Sequence, residues 1–312
     1  MSWKTLGAAE TAAEHELEAI LARTPRWRGQ ALRYRPVSGG ISNANWRIDA
    51  GGPRDYFLKA PGRGTEMFID RVAAHEASRR AHASGFGVEA VDFLPDLGVE
   101  IFVFVEGFRA SSTLDFLRPP VRRNAVRALK AFNDSAPLGL TKTIFDMIEE
   151  HEAQAREVGG SLPADQSFLM RRCAEAKAAF TASGMDLVPC MNDTLAGNFM
   201  IDAADEVMIV DFEYASNNER AYELAGWFDE MAFPRGIERE MTEAYFGHVS
   251  RQVEARINVL KGLADLKWST WAMIQEAVSS LDFDFHKYGM WKYMRARNQF
   301  HHPDWNAWLR WL

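Results

Sequence analysis

Cysteine is nearly absent: Cys173 and Cys190 are the only two in 312 residues. That excludes a disulfide framework and a four-ligand zinc site. Basic charge is short as well. Lys and Arg sum to 36 against 43 Asp plus Glu, a formal net charge of −7. The phosphate contacts that supply nucleic-acid affinity are therefore missing, and no nucleic-acid partner is expected. Long apolar runs are lacking too. The most apolar stretch, Ile101 to Val105, falls far below the roughly 20 residues that span a bilayer. The charged stretch Ala8 to Ile20 leaves no apolar core of the signal-peptide kind. No membrane insertion is expected, and the expected compartment is a reducing cytoplasm. Internal repeats, low-complexity linkers and a G-x-x-x-x-G-K-S/T phosphate loop are also missing.

What is present is an average globular composition, 47% hydrophobic and 25% charged, which excludes disorder, collagen and coiled coil. The length suggests two domains or one two-lobed enzyme. Residues 9–23 read as an amphipathic helix, with Leu17, Ile20 and Leu21 at helical spacing. Short strands are predicted at Tyr34–Val37, Asn45–Asp49 and Tyr56–Ala60, the last two joined by Gly51-Gly52-Pro53. A helix follows over Glu66–Ala83, ended by Gly85 and Gly87, then strands over Val88–Leu94 and Val99–Val105. From about residue 112 helical patterns dominate, at 121–133, 142–158, 164–183, 219–232, 236–257 and 259–280. One strand island, Phe199–Asp202 and Val207–Phe212, interrupts them. The expected fold class is α+β and bilobal: a small antiparallel sheet lobe over residues 1–106, then a larger, mainly helical lobe over 107–312. No flexible linker separates them, so the lobes are expected to share a cleft.

The chemistry concentrates in Cys190-Met-Asn-Asp193-Thr-Leu-Ala-Gly-Asn198-Phe199 and Ile209-Val-Asp211-Phe-Glu-Tyr214. Moving a γ-phosphoryl group to a hydroxyl needs a carboxylate for the attacking hydroxyl, oxygen ligands for Mg²⁺ and a cation on the nucleotide phosphates. Mg²⁺ takes carboxylate and amide oxygens. An Asp, an Asn five residues later and an Asp ending the next strand supply those acidic parts, in the kinase-type D-x-x-x-x-N plus D-F-x order.

With these motifs the chain resembles the choline/ethanolamine kinase family, a branch of the aminoglycoside-phosphotransferase-like, protein-kinase-like fold. The resemblance runs from about residue 38 to about residue 300. It implies ATP and Mg²⁺ as cofactors, with Asp193 catalytic and Asn198 and Asp211 as magnesium ligands. The family's nucleotide loop resembles Gly39-Gly40-Ile41-Ser42-Asn43. Its phosphate-holding cation falls on Lys59, and the helix Glu that orients that cation falls on Glu76. Its hinge falls on Ile101–Gly107, with Phe102, Val103 and Val105 against the adenine. Asn217-x-x-Arg220 follows the catalytic segment, and Trp268-x-x-Trp271-x-x-x-Gln275 with Asp284–Tyr288 resembles the family's C-terminal block.

A quaternary ammonium cannot donate hydrogen bonds and is recognised by ring faces within ~6 Å and by nearby carboxylates. Trp268 and Trp271 lie three apart on one helix face. Tyr214, Phe285 and Tyr288 are expected to close the box, and Glu230 to add negative charge. The leading expectation is a kinase for choline or a similar small amino alcohol. The alternatives are another acceptor (ethanolamine, an aminoglycoside, thiamine or an amino sugar) or a catalytically degenerate nucleotide-binding scaffold. Three departures stand out. Met191 replaces the family's His before Asn-Asp, Glu223 replaces an Asp, and Phe285 replaces a Tyr. His286, His301 and His302 lack metal-ligand spacing, and Cys190 reads as a small buried filler. Trp305, Trp308 and Trp311 share one helix face, expected to dock on the helical lobe or on a partner subunit in a homodimer.

Overall fold

The computed structural model describes residues 2–39, 43–62 and 67–312. Period-2 alternation builds the first layer. Strands β1 (Lys4–Thr5), β2 (Arg33–Pro36), β3 (Asn43–Asp49), β4 (Tyr56–Pro61), β5 (Ala90–Leu94) and β6 (Val99–Val103) form one antiparallel sheet, in the order β1-β2-β3-β4-β6-β5. Tyr34, Trp46, Ile48, Leu58 and Ile101 point to one face, where Leu17 and Leu21 of helix α1 (Ala12–Arg23) and Trp27 cover them. Gly51, at φ 73°, supplies the left-handed residue that turns β3 into β4. The register sets Lys59 of β4 opposite Glu100 of β6.

Helix α2 (Arg71–Ala83) starts at Asp70, whose carboxylate accepts the Val72 and Ala73 amides at 3.0 Å each. The expected helix start, Glu66, lies outside the described residues. Helix α2 buries only small side chains, among them Ala73, Ala74, Ala77 and Ala81, and the last two join the core of the helical half.

That second core is separate from the sheet's. It is built by α3 (Pro119–Asn133), α4 (Ile144–Glu157), α5 (Gln166–Ser183), α6 (Arg220–Met231), α7 (Arg235–Phe246), α8 (Arg251–Val278), α9 (Phe285–Phe300) and α10 (Trp305–Trp311). Two small sheets interrupt the helices. Strands β7 (Arg109–Ala110), β9 (Phe199–Ile201) and β10 (Val207–Ile209) form one, and β8 (Leu187–Cys190) pairs with β11 (Ser216–Glu219) in the other. The β9–β10 hairpin is the expected island; the β8–β11 pair is not foreseen.

One boundary is misplaced by pattern reading. The break expected near residue 258 falls instead after Gly247, whose φ of 77° ends α7, and Ser250 caps α8 through the Val253 amide. Helix α8 then runs 28 residues, so its far end carries Trp268 and Trp271 rigidly to the cleft. Trp305 and Trp308 are buried in their own chain's core, Trp305 edge-on to Phe300 at 5.0 Å. Two rings of the expected stripe thus dock within the chain, while Trp311 is exposed at 39%.

Helices α8 and α9 touch through Gly289. A Cβ there would stand 2.1 Å from Met273 Cε, 3.0 Å from Ala272 Cβ and 3.2 Å from the Ser269 carbonyl. We expect Gly289→Val to destabilise the fold by about 1–3 kcal/mol through overpacking. Gly236→Ala, on exposed α7 with open space around it, should stabilise by up to ~1 kcal/mol. Urea denaturation of both variants checks the opposite signs.

Candidate active site

The loop between β8 and the β9 turn is held by its backbone. Met191 and Asn192 both donate their amides to Glu223 on α6, at 3.0 and 2.9 Å, one to each carboxylate oxygen. Asn133 adds a 3.3 Å bond to the same carboxylate. Asn192 sits at φ 61°, a left-handed conformation that asparagine tolerates better than most residues. Its side chain donates to the Tyr214 carbonyl (2.8 Å) and Ser216 Oγ (2.9 Å), and its Oδ1 accepts from Asn218 (2.9 Å). Glu for Asp at 223 therefore leaves the loop anchored. Met191 is fully buried and fills space where a histidine would add a polar tether.

Asp193 emerges from this loop. Asn198, in the short 3₁₀ turn before β9, donates Nδ2 to both the Asp193 carbonyl (2.9 Å) and its Oδ2 (3.2 Å). Burial pushes the Asp193 carboxyl up to about 7, with the Lys267 charge opposing and the Asp211 charge adding to the rise. A carboxylate of that pKa is suited to taking a proton near neutrality.

The β4 lysine reaches the other wall. Lys59 Nζ donates to Asp211 Oδ1 at 2.6 Å and stands 3.1 Å from Glu213 Oε1. Glu213 also accepts from Arg71 of α2 (2.5 Å) and Asn43 of β3 (2.9 Å). Burial works against the Lys59 ammonium, but Asp211, Glu213 and Glu100 hold its pKa above the ordinary value. Burial also opposes the Glu213 charge, yet Lys59 and Arg71 keep its pKa low. Burial raises the Asp211 pKa against the pull of Lys59. Asp211 is at φ 68°, a strained backbone of the kind found at functional sites.

A cleft beside Asp193 is lined by Asn192, Thr194, Tyr222, Asp229, Glu230, Trp268 and Lys292, among others. Tyr214 meets Trp268 edge-on at 5.1 Å, and Trp268 meets Trp271 at 5.6 Å. Lys267 is wholly buried, its Nζ 3.4 Å from the Trp268 ring centre and 4.5 Å from that of Tyr214. Burial draws its pKa down to about 7 against the pull of Asp193.

A family model for choline/ethanolamine kinase matches residues 35–245, more than half of the chain. The chain belongs to the choline/ethanolamine kinase family. It is similar to the "probable choline kinase 2" of Arabidopsis thaliana, at 23% identity over 87% of each chain. It is also similar to the "ethanolamine kinase 2" of Mus musculus, at 28% identity over 88% of this chain and 78% of that one. Among solved structures, a choline/ethanolamine kinase family protein from Mesorhizobium loti matches with TM-score 0.80 and 26% identity, covering 96% and 98% of the two chains. An aminoglycoside phosphotransferase, APH(4)-Ia, shares the fold at TM-score 0.63 and 13% identity, covering 95% and 98%. The protein is thus a phosphotransferase acting on an alcohol, with the bilobal protein-kinase-like fold. No helix among the described residues is long and apolar enough to cross a membrane.

The kinase brings together Asp193, Asn198, Asp211 and Lys59, as the motifs imply. It does not bring Glu76 to Lys59. Glu76 accepts the Gly139 amide at 2.9 Å and faces Arg80 at 3.6 Å, so it ties α2 to the loop after α3. The partners of Lys59 come instead from Asp211 and Glu213, one strand end away. Gly39 is exposed at φ 124°, its carbonyl accepting from Asn45 at 2.9 Å; Gly40 and Ser42 lie outside the described residues. Phe102 and Val103 lie on β6, the Phe102 ring 6.4 Å from that of Phe57. The Val103 and Phe104 amides are already used, donated to Glu89 and Asp55 at 2.9 Å each, while Val105 follows the strand.

The acceptor box is also rearranged. Trp271 is only 6% exposed, ringed by Phe68, Trp268, Phe285 and Tyr288 at 5.6–6.5 Å. With buried Phe285 it supports the wall rather than facing the cleft. Glu230 adds no free negative charge, because Lys292 of α9 neutralises it at 2.5 Å. Lys267, Lys292 and Glu213 are missed by motif reading. Each is a charged residue within an apolar helix or strand-end pattern, the signal that marks them.

Glu223→Ala would strand the two loop amides, and we expect it to cost about 2–5 kcal/mol, read by denaturant titration. His151 of α4 lies edge-on to Phe68 at 5.6 Å, with its Nδ1 3.4 Å from the Lys267 carbonyl. Burial, then the Lys267 charge, pulls its imidazole down from 6.5 to about 3. The unfolded imidazole is protonated below pH 6.5 and the folded one is not, so this stability is present above that pH and lost as pH falls. We expect about 1 kcal/mol less stability per pH unit below ~6, and a flatter slope in His151→Gln.

Proposed function

We propose that the chain transfers the γ-phosphoryl group of ATP, with Mg²⁺, to the hydroxyl of choline or a similar small amino alcohol in the cytoplasm. The observation that carries this reading is Asp193 fixed by Asn198 beside the acceptor cleft, with Lys59 and Asp211 on the opposite wall. Asp193 takes the proton of the acceptor hydroxyl as the hydroxyl oxygen attacks the γ-phosphorus. Lys59 holds the α- and β-phosphates, Glu213 and Asp211 orient its ammonium, and the free Val105 amide meets the adenine. Phosphoryl transfer asks little more of the protein than this positioning and charge stabilisation.

The residues fit the metal. With the Asn198 amide nitrogen committed to Asp193, its oxygen is the group left to coordinate, and Asp211 offers the carboxylate oxygen that Lys59 does not bond. Mg²⁺ usually takes only one or two protein oxygens alongside phosphates and water, so this pair is a sufficient protein contribution. Asn198 and Asp211 would hold the ion, which when bound neutralises phosphate charge.

Aminoglycosides are disfavoured as acceptors, because Asp229 and Glu230 are already paired with Arg295 and Lys292 at 2.5 Å each and leave little free acidity for a polycation. The degenerate-scaffold alternative loses its motive with the loop still tied to Glu223. We expect Asp193→Asn to lower kcat by about 10²–10⁴-fold while thermal stabilisation by Mg-ATP persists. Asp211→Ala should instead abolish that stabilisation. A coupled ADP-release assay and melting curves on the same preparations read both. Normal turnover in Asp193→Asn would overturn the assignment.

A further inference from the structure

Among the described residues, three lysine ammonium groups are buried at the cleft, and two have ion-pair partners. Lys59 has Asp211 and Glu213; Lys292 has Glu230 at 2.5 Å and Asp265 at 3.4 Å. Lys267 has none. It is fully buried, and its hydrogen bond is a long one, 3.4 Å to the Asn192 carbonyl. An ammonium carries three donors, so two of its N–H groups lack an acceptor beside the catalytic loop. A buried charge so poorly paired is expensive to keep.

What compensates it is aromatic. The Lys267 ammonium lies within cation–π range of both Trp268 and Tyr214. That is the ring face a quaternary ammonium would need. Two cations about 5 Å apart at an effective dielectric of ~20 repel by an amount worth on the order of 10²-fold in affinity. Of the cleft carboxylates that could offset this repulsion, Asp229 and Glu230 are occupied, and Asp193 is the group assigned to the acceptor hydroxyl.

We propose that Lys267 sets the acceptor class: it fills the Trp268–Tyr214 face against quaternary ammonium groups and offers its two unused N–H groups to an oxygen carried by the acceptor. The preferred acceptor is then a small amino alcohol bearing a second hydroxyl or a carboxylate, not choline. This narrows the proposed function and rests on its reading of the cleft.

The test uses the full chain and Lys267→Met, with choline, ethanolamine, serinol and serine as acceptors. Choline binding is also measured by calorimetry, without turnover. Wild type should show kcat/KM at least tenfold higher for serinol or serine than for choline. In Lys267→Met the choline KM should fall about tenfold or more and that of the oxygen-bearing acceptor should rise, with ATP KM unchanged. Choline bound as tightly by wild type as by the variant overturns the proposal, as does choline bound by neither. Choline binding gained by the variant, with no acceptor phosphorylated by either protein, supports the role of Lys267 and sinks the kinase reading instead. Removing an unpaired buried charge should leave the melting temperature equal or higher. If Lys267→Met melts early, Lys267→Gln keeps a polar chain, and the same choline comparison decides.

Discussion

The contact of Lys59 with Asp211 and Glu213 organises the cleft. It joins a strand of the small sheet to the segment after β10, two parts of the chain whose apolar cores are separate. Glu213 also receives Arg71 from α2 and Asn43 from β3, so one buried carboxylate gathers three elements of the first 106 residues. Removing one partner of such a buried set strands the rest, which makes the cluster an all-or-none feature. This wall of the cleft depends on it, and it fixes the position of Asp211, whose pKa burial raises against the pull of Lys59.

The opposite wall depends on a different device. Glu223 receives the backbone of the catalytic loop, and a chain of amides from Asn192, Asn218 and Asn133 satisfies the remaining polar atoms. The tether acts on main-chain N–H groups, so it does not read the side chain at 191, and Met191 can stand there at little cost to geometry. The same loop presents the Asn192 carbonyl to Lys267. In the proposed reading, acceptor choice and proton transfer both depend on groups that meet at this one short segment.

Much of this was legible in the sequence. Strong periodicity marked α3 to α6 within a few residues but not α9, and the kinase-type spacing picked out Asp193, Asn198 and Asp211, which the fold brings to one cleft. The misses have physical causes. The α7–α8 break hides in Gly247 and Ser250, a C-cap and an N-cap within an unbroken apolar rhythm. Glu76 was assigned to Lys59 by its place in a familiar order, but helix phase turns it toward Gly139. Lys267 was invisible because spacing identifies neighbouring aromatics on a helix face and says nothing of which side chain already lies over them. Trp271 shows the converse: a ring at the right spacing can be buried as support.

Helix α2 meets its surroundings through Ala73, Ala74, Ala77 and Ala81. Methyl groups make shallow ridges, and shallow ridges interlock weakly with the grooves of a neighbour. Sliding such a helix along its axis by a fraction of a residue rise trades one set of methyl contacts for a near-identical set. Its polar ties, Arg71 to Glu213 at its first residue and His75 to Glu100 and Glu76 to Gly139 at its middle, fix its resting position. A methyl-faced helix of this kind is the low-relief surface that shear between packed layers requires. The small sheet and the helical half therefore meet across a surface of little relief, each with its own core.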